Sequence, residues 1–129
     1  MPWRKILANN REWVAERNAA DPEFFARMAS KHEPHYLWIG CSDARVPANV
    51  ITGTEAGEMF VHRNIANQVM ATDPNLGAVV QYAVEALKVK DIIVCGHAEC
   101  GGVRAALEGN APPLVDSWLS NLRMIARLH

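Results

Sequence analysis

The chain has 129 residues, of which half are hydrophobic and about a fifth charged. That allows one domain with a real core and no need of a disulfide staple. A formal net charge of −1 and a pI near 6.5 exclude the basic excess expected of a nucleic-acid-binding surface. No apolar run approaches the roughly 20 residues that span a bilayer. The opening MPWRKILANNREW has neither a long apolar centre nor a small-residue cleavage site, so it does not read as a secretory signal. Three cysteines cannot all pair within one chain. Without an export signal they read as thiols of a reducing compartment, and the expected location is the cytoplasm.

Residues 2–20 predict a helix, with Trp3, Ile6, Leu7, Trp13 and Val14 near one face. Asp21-Pro22 predicts an N-cap followed by proline at the first position of a second helix. That helix carries Phe24, Phe25 and Met28 and ends at Glu33-Pro34. Residues 36–40 form a short apolar run that predicts a buried strand, and 59–61 a second one. Asp73-Pro74 repeats the cap-and-proline signal ahead of Leu76, Val79, Val80, Ala83, Val84 and Leu87, an amphipathic helix. Residues 91–96 predict a third strand with Cys95 in the core. A short helix over 101–107 then ends at Gly109-Asn110. Leu114, Trp118, Leu119, Leu122, Ile125 and Leu128 form a final helical stripe. Strands separated by helices predict an α/β fold with a mainly parallel sheet flanked by helices. The expected organisation is a helical arm over 1–35 and an α/β core over 36–129, one domain overall.

In such sheets functional groups gather at the carboxyl ends of the strands. Three polar clusters lie there: Cys41-Ser42-Asp43-Ala44-Arg45, His62-Arg63-Asn64, and His97-Ala98-Glu99-Cys100-Gly101-Gly102. If the strands are parallel neighbours, Cys41, His97 and Cys100 converge as two thiolates and an imidazole. That donor set suits zinc and leaves a fourth position open. Cys100 at a helix N-terminus is favoured as a thiolate by the unpaired N–H groups there. Gly101 and Gly102 permit close backbone approach. Asp43 can bind the open position. Alternatively, held by Arg45, it can accept a hydrogen bond from zinc-bound water. Ser42 reads as a turn hydroxyl, because no Ser-His-acid arrangement is evident. The glycines match neither the Walker nor the GxGxxG pattern.

Together these motifs resemble the β-class carbonic anhydrases. Cys41-Ser42-Asp43-Ala44-Arg45-Val46-Pro47 is similar to the family's C-x-D-x-R motif. His62-Arg63-Asn64-Ile65-Ala66-Asn67 is similar to its second signature, and Gly96 to Gly102 carries an H-x-x-C zinc motif. The resemblance implies one zinc per chain on Cys41, His97 and Cys100, with Asp43 as a possible fourth ligand. It implies a catalytic dyad of Asp43 and Arg45, and conversion of carbon dioxide and water to bicarbonate and a proton. It also implies a homodimer or larger homo-oligomer, with no nucleic-acid or membrane partner. A subclass holds bicarbonate at a second pocket, of which Trp38 and Arg63 resemble parts; Trp38 reads equally well as core. His62 and Glu99 are candidates for proton export.

Family domains continue with a further parallel strand, an edge strand and C-terminal helices, so the expectation is a β-carbonic-anhydrase-like fold lacking those parts. Two rival functions fit the same residues. One is hydrolysis of carbon disulfide or carbonyl sulfide on the same scaffold. The other is a non-catalytic zinc-binding or assembly module in which Asp43 stays on the metal.

Overall fold

The computed structural model describes residues 1–129 and divides into two compact units, Met1–His32 and Glu33–His129. The first unit is a helical pair. Helix α1 spans Pro2–Ala20, with proline at its start where the missing N–H costs nothing. None of its residues is buried; Trp3 and Ile6 are 53% and 67% exposed. Helix α2 spans Phe24–Ser30. The aromatic rings of Trp13, Phe24 and Phe25 meet edge to face, with centroids 5.0–6.2 Å apart. The start of α2 differs from the sequence expectation. Asp21 and Pro22 form a turn ahead of the helix, in which Asp21 Oδ1 accepts the Glu23 N–H at 3.1 Å. The aspartate still satisfies a backbone donor, but three residues before helical geometry begins. The helix also ends at Ser30, short of Glu33-Pro34.

The second unit is built on a three-stranded sheet: β1 (Tyr36–Cys41), β2 (Met59–Asn64) and β3 (Asp91–Cys95). The order is β2-β1-β3 and both pairings are parallel. Strand β1 is central, and Leu37 to Cys41 are all buried, the unbroken apolar run of a strand covered on both faces. Leu37 and Ile39 pack on Leu76 and Ala83, with Phe60, Val79 and Val80 around them. Strand β2 is longer than expected, so His62, Arg63 and Asn64 are its last residues rather than the loop after it. Strand β3 is bonded only to β1, and its Ile92 and Val94 are half exposed. Cys95 is accordingly half-buried rather than core, its thiol directed to the Gly96 carbonyl at 3.3 Å.

Between the strands lie α3 (Ala48–Thr52), which the sequence reading passes over, and α4 (Pro74–Gln81). Asp73 caps α4 as expected, accepting the Asn75 N–H at 3.0 Å. Beyond Gln81 the helix widens into a π turn over Tyr82–Ala86, closed by the Leu87 N–H on the Tyr82 carbonyl at 3.0 Å. Helix α5 (Gly101–Glu108) starts with Cys100 as its N-cap residue and stops at left-handed Gly109. Helix α6 (Pro113–Leu128) buries Leu119 and packs Trp118 and Leu122 against the Cys41–Cys100 cluster. The ends of its expected stripe are not covered: Leu114 is 88% and Leu128 71% exposed. No helix is long and apolar enough to cross a membrane.

The two neighbouring glycines of α5 do different work. A Cβ on Gly101 would meet nothing within 4 Å, whereas one on Gly102 would lie 2.8 Å from Ile65 Cγ2 and 3.0 Å from Ala66 Cβ. Only Gly102 is needed for close approach. Gly102→Val should therefore lower stability by about 1–3 kcal/mol through overpacking. Gly101→Ala should raise it by about 0.4–1 kcal/mol through reduced unfolded-state entropy. Urea unfolding midpoints of the two variants, at unchanged slope, check the opposite signs.

Candidate metal centre

Cys41 is the last residue of β1, while His97 and Cys100 follow β3 in the turn that opens α5. Parallel pairing of β1 with β3 aligns Gly40 with Cys95, so the chain leaves both strands at the same level. The donor atoms of Cys41, His97 and Cys100 lie within 4.8 Å of one another, the two sulfurs 3.9 Å apart. Two thiolates on a tetrahedral zinc at about 2.3 Å stand roughly 3.8 Å apart. The His97 Nδ1–H donates to the Ala98 carbonyl at 2.9 Å, which leaves the Nε2 lone pair as the free one. That Nε2 is buried without a hydrogen-bond partner. A buried nitrogen with an unused lone pair beside two thiols, one of them an N-cap residue, fits a soft divalent cation such as zinc.

Burial pushes the Cys41 thiol up, but the Asp43 and Ala66 N–H groups, with His97 and Cys100, outweigh it and hold the thiol below its ordinary value. The neighbouring Cys41 sulfur in turn raises His97, against the opposing effect of burial.

Asp43 and Arg45 form a bidentate pair. Arg45 Nε donates to Asp43 Oδ1 at 2.9 Å and Nη2 to Oδ2 at 2.6 Å; the Arg45 backbone N–H also reaches Oδ1 at 2.9 Å. Arg45 thereby holds the Asp43 carboxyl far below the usual carboxylate range. Asp43 Oδ2 lies 3.8 Å from His97 Nε2, so the carboxylate sits beside the imidazole donor. Arg45 is anchored on its other side by the Glu99 carbonyl at 3.1 Å, and Glu99 adopts the left-handed conformation at φ 56°. That backbone role is not visible in the sequence. The Glu99 carboxylate pairs with Arg104.

The remaining site candidates also have defined places. Arg63 Nε donates to the Cys41 carbonyl at 2.7 Å and Nη2 to the Asp43 carbonyl at 2.5 Å, bracing the loop that carries both residues. Trp38 is buried, and its indole lies over Gly40, where a Cβ would collide with it. Gly40 is the register partner of Arg63, so Trp38 and Arg63 lie on one face of the sheet. His62 is buried on the other face and bonded to Asn64 at 3.1 Å. Ser42 is exposed in the turn. The sequence reading assigns no role to Ala66 and Asn67, which adopt left-handed conformations at φ 64° and 43°. The conformation costs alanine about 1–2 kcal/mol, whereas asparagine adopts it more readily; nothing in the residue type at Ala66 announces it.

Residues 36–129 match the family described as carbonic anhydrase. With the structural likenesses below, this places the chain in the β-class carbonic anhydrase family. It is 55% identical to a carbonic anhydrase of Emericella nidulans over 97% of this chain and 55% of that protein. A carbonic anhydrase of Candida albicans is 50% identical over 93% of this chain and 43% of that protein. Among solved structures, a tetrameric β-carbonic anhydrase from Sordaria macrospora superposes with a TM-score of 0.95 at 43% identity, covering 99% of this chain and 66% of that one. The chain thus spans about half the length of the curated relatives it matches.

Because Arg45 is the principal cause of the depressed Asp43 pKa, Arg45→Ala should return that carboxyl toward the ordinary value of 3.8. Carboxyl-carbon NMR titration of metal-free protein should show the Asp43 midpoint rising in the variant and lying well below 3.8 in the parent.

Proposed function

We propose that this chain binds one zinc ion through Cys41, His97 and Cys100 and catalyses reversible hydration of carbon dioxide. The observation that carries the proposal is the convergence of the three donors, one an unpartnered buried nitrogen, with a charged carboxylate 3.8 Å from it. The family relationship supports the same reading. Zinc, when bound, supplies the Lewis acidity that makes a water-derived nucleophile available near neutral pH.

The protein's own part is positional and electrostatic. Asp43 Oδ1 accepts two hydrogen bonds from Arg45 and Oδ2 accepts one, so Oδ2 keeps an acceptor site. That site takes the hydrogen of the attacking solvent molecule and turns its lone pair toward the carbon of carbon dioxide. Arg45 keeps Asp43 ionised and away from the donor set. Val46, packed against the Cys41–Cys100 cluster, provides an apolar wall suited to an uncharged substrate. Water and carbon dioxide leave as bicarbonate and a proton. His62, buried and bonded to Asn64, is better suited to holding structure than to exporting that proton.

The Trp38–Gly40–Arg63 face is our candidate for a second bicarbonate pocket, on the strength of the family resemblance and of the shared face. The tetrameric Sordaria relatives and the uncovered apolar residues of α1 support a homo-oligomer. Free cysteines at the proposed metal site are consistent with a cytoplasmic location. We read 1–35 as an arm and 36–129 as the catalytic core.

Stopped-flow hydration assays with metal analysis test the reading. The parent should hold one zinc per chain and hydrate carbon dioxide. Asp43→Ala should retain zinc while losing about 10²–10⁴-fold in kcat/KM, the usual worth of a positioned proton acceptor. Cys41→Ser and His97→Ala should lose the metal. Zinc-loaded parent protein without hydration activity would instead favour the non-catalytic module, and Asp43→Ala at parental rate would remove Asp43 from the mechanism.

A further inference from the structure

The turn after β2 is the most strained segment near the site, and it is held from two directions. Asn64 spans it: Oδ1 accepts the Gln68 N–H at 2.6 Å and Nδ2 donates to the Gln68 carbonyl at 2.9 Å. Helix α6 clamps it: Trp118 Nε1 donates to the Ile65 carbonyl at 2.8 Å, and Gln68 Nε2 donates back to the Trp118 carbonyl at 2.9 Å. Inside this ring of bonds lie two left-handed non-glycine residues in succession, Ala66 and Asn67. Ala66 is buried in one cluster with Cys41 and Cys100. The turn also meets the segment that carries the other two donors. Ala66 lies against Gly102, and the Asn67 side-chain amide lies 3.9 Å from the position of a Cβ on Gly96.

We propose that Asn64, Gln68 and Trp118 are positioning residues that lock the left-handed Ala66–Asn67 turn and so keep Ala66 packed in the buried cluster that holds Cys41 and Cys100. Alanine does not stay in this conformation by preference. Without the clamp the turn relaxes toward ordinary backbone angles and Ala66 shifts within the cluster around the two cysteines. Residues packed around metal ligands fix the ligands' orientation, and loss of such outer partners typically weakens metal binding. Gln68 bears on the argument in a second way: its Oε1 is buried without a partner. Burying an unsatisfied oxygen is unfavourable, and the side chain's bond is made by its donor end, Nε2 on the Trp118 carbonyl.

The inference rests on Cys41 being a zinc ligand, and the test separates the two ideas. Trp118→Phe removes the indole N–H while keeping an aromatic ring. Gln68→Met removes both polar atoms at similar length and serves as a second variant in case the first folds poorly. Zinc affinity is measured by competition with a chromophoric chelator. Exchange of the Ala66 amide is followed by NMR in metal-free protein. Each variant should bind zinc about 10–100-fold more weakly, and the Ala66 amide should exchange about fivefold faster or more. Adding Ala66→Gly to Trp118→Phe should restore most of the lost affinity, because glycine holds a positive φ without a clamp. A merely structural role for Trp118 gives no such rescue. Unchanged affinity and exchange in both variants, or weakened binding that Ala66→Gly leaves unrepaired, overturns the proposal. If the parent binds no zinc, the functional reading fails by itself, and unchanged Ala66 exchange then decides against the clamp as well.

Discussion

The parallel register between β1 and β3 is the constraint on which the site depends. Aligning Gly40 with Cys95 brings the end of one strand level with the end of the other, so that Cys41 meets a histidine and a cysteine more than fifty residues away in sequence. Side chains alternate along a strand, and a slip of one residue would exchange the two faces. Such a slip would turn Leu37, Ile39 and Cys41 together away from their partners. The core that fixes the register is therefore the same one that aims the ligand. Leu37 and Ile39 are fully buried against α4 and the π turn, and this burial is what makes the alignment specific.

Around that alignment the site is assembled as much from backbone as from side chains. Left-handed Glu99 turns its carbonyl to Arg45, and left-handed Ala66 packs against Gly102 in the cluster that holds Cys41 and Cys100. Arg63 grips the Cys41 and Asp43 carbonyls. Asp43 and Arg45 are each held by a main-chain group as well as by a side chain. The electrostatic outcome is coherent. The carboxylate stays ionised, the thiol is lowered, and the imidazole is left with its lone pair directed inward. Strain at non-glycine residues is tolerated because the surrounding bonds over-determine it.

The packing of the molecule is uneven. The second unit has two buried clusters, one beneath β1 and one joining both cysteines to α5 and α6. Helix α1, by contrast, buries none of its residues, and β3 leaves Ile92 and Val94 half exposed. Apolar surface of this kind is ordinarily covered in an assembly. It agrees with the tetrameric organisation of the Sordaria relatives and gives the proposed homo-oligomer a physical reason.

The sequence by itself determined the class of fold, the strand-end location of the polar clusters and the chemistry of the donor set. Those features are local. Apolar runs mark strands, Asp73-Pro74 and Gly109 mark helix ends, and cysteine, histidine and aspartate carry their chemistry wherever they stand. Boundaries were less legible: β2 absorbs His62 to Asn64 by pairing with β1, and α2 starts two residues beyond the Asp21-Pro22 signal. Cys95 read as core because its strand is apolar, yet burial depends on what covers a strand, and β3 lies at the sheet edge. Tertiary structure alone decided the left-handed turn at Ala66, the clamp from Trp118, the grip of Arg63 on two carbonyls and the difference between Gly101 and Gly102. Each of these follows from contacts between distant segments or from backbone angles that no residue type there announces.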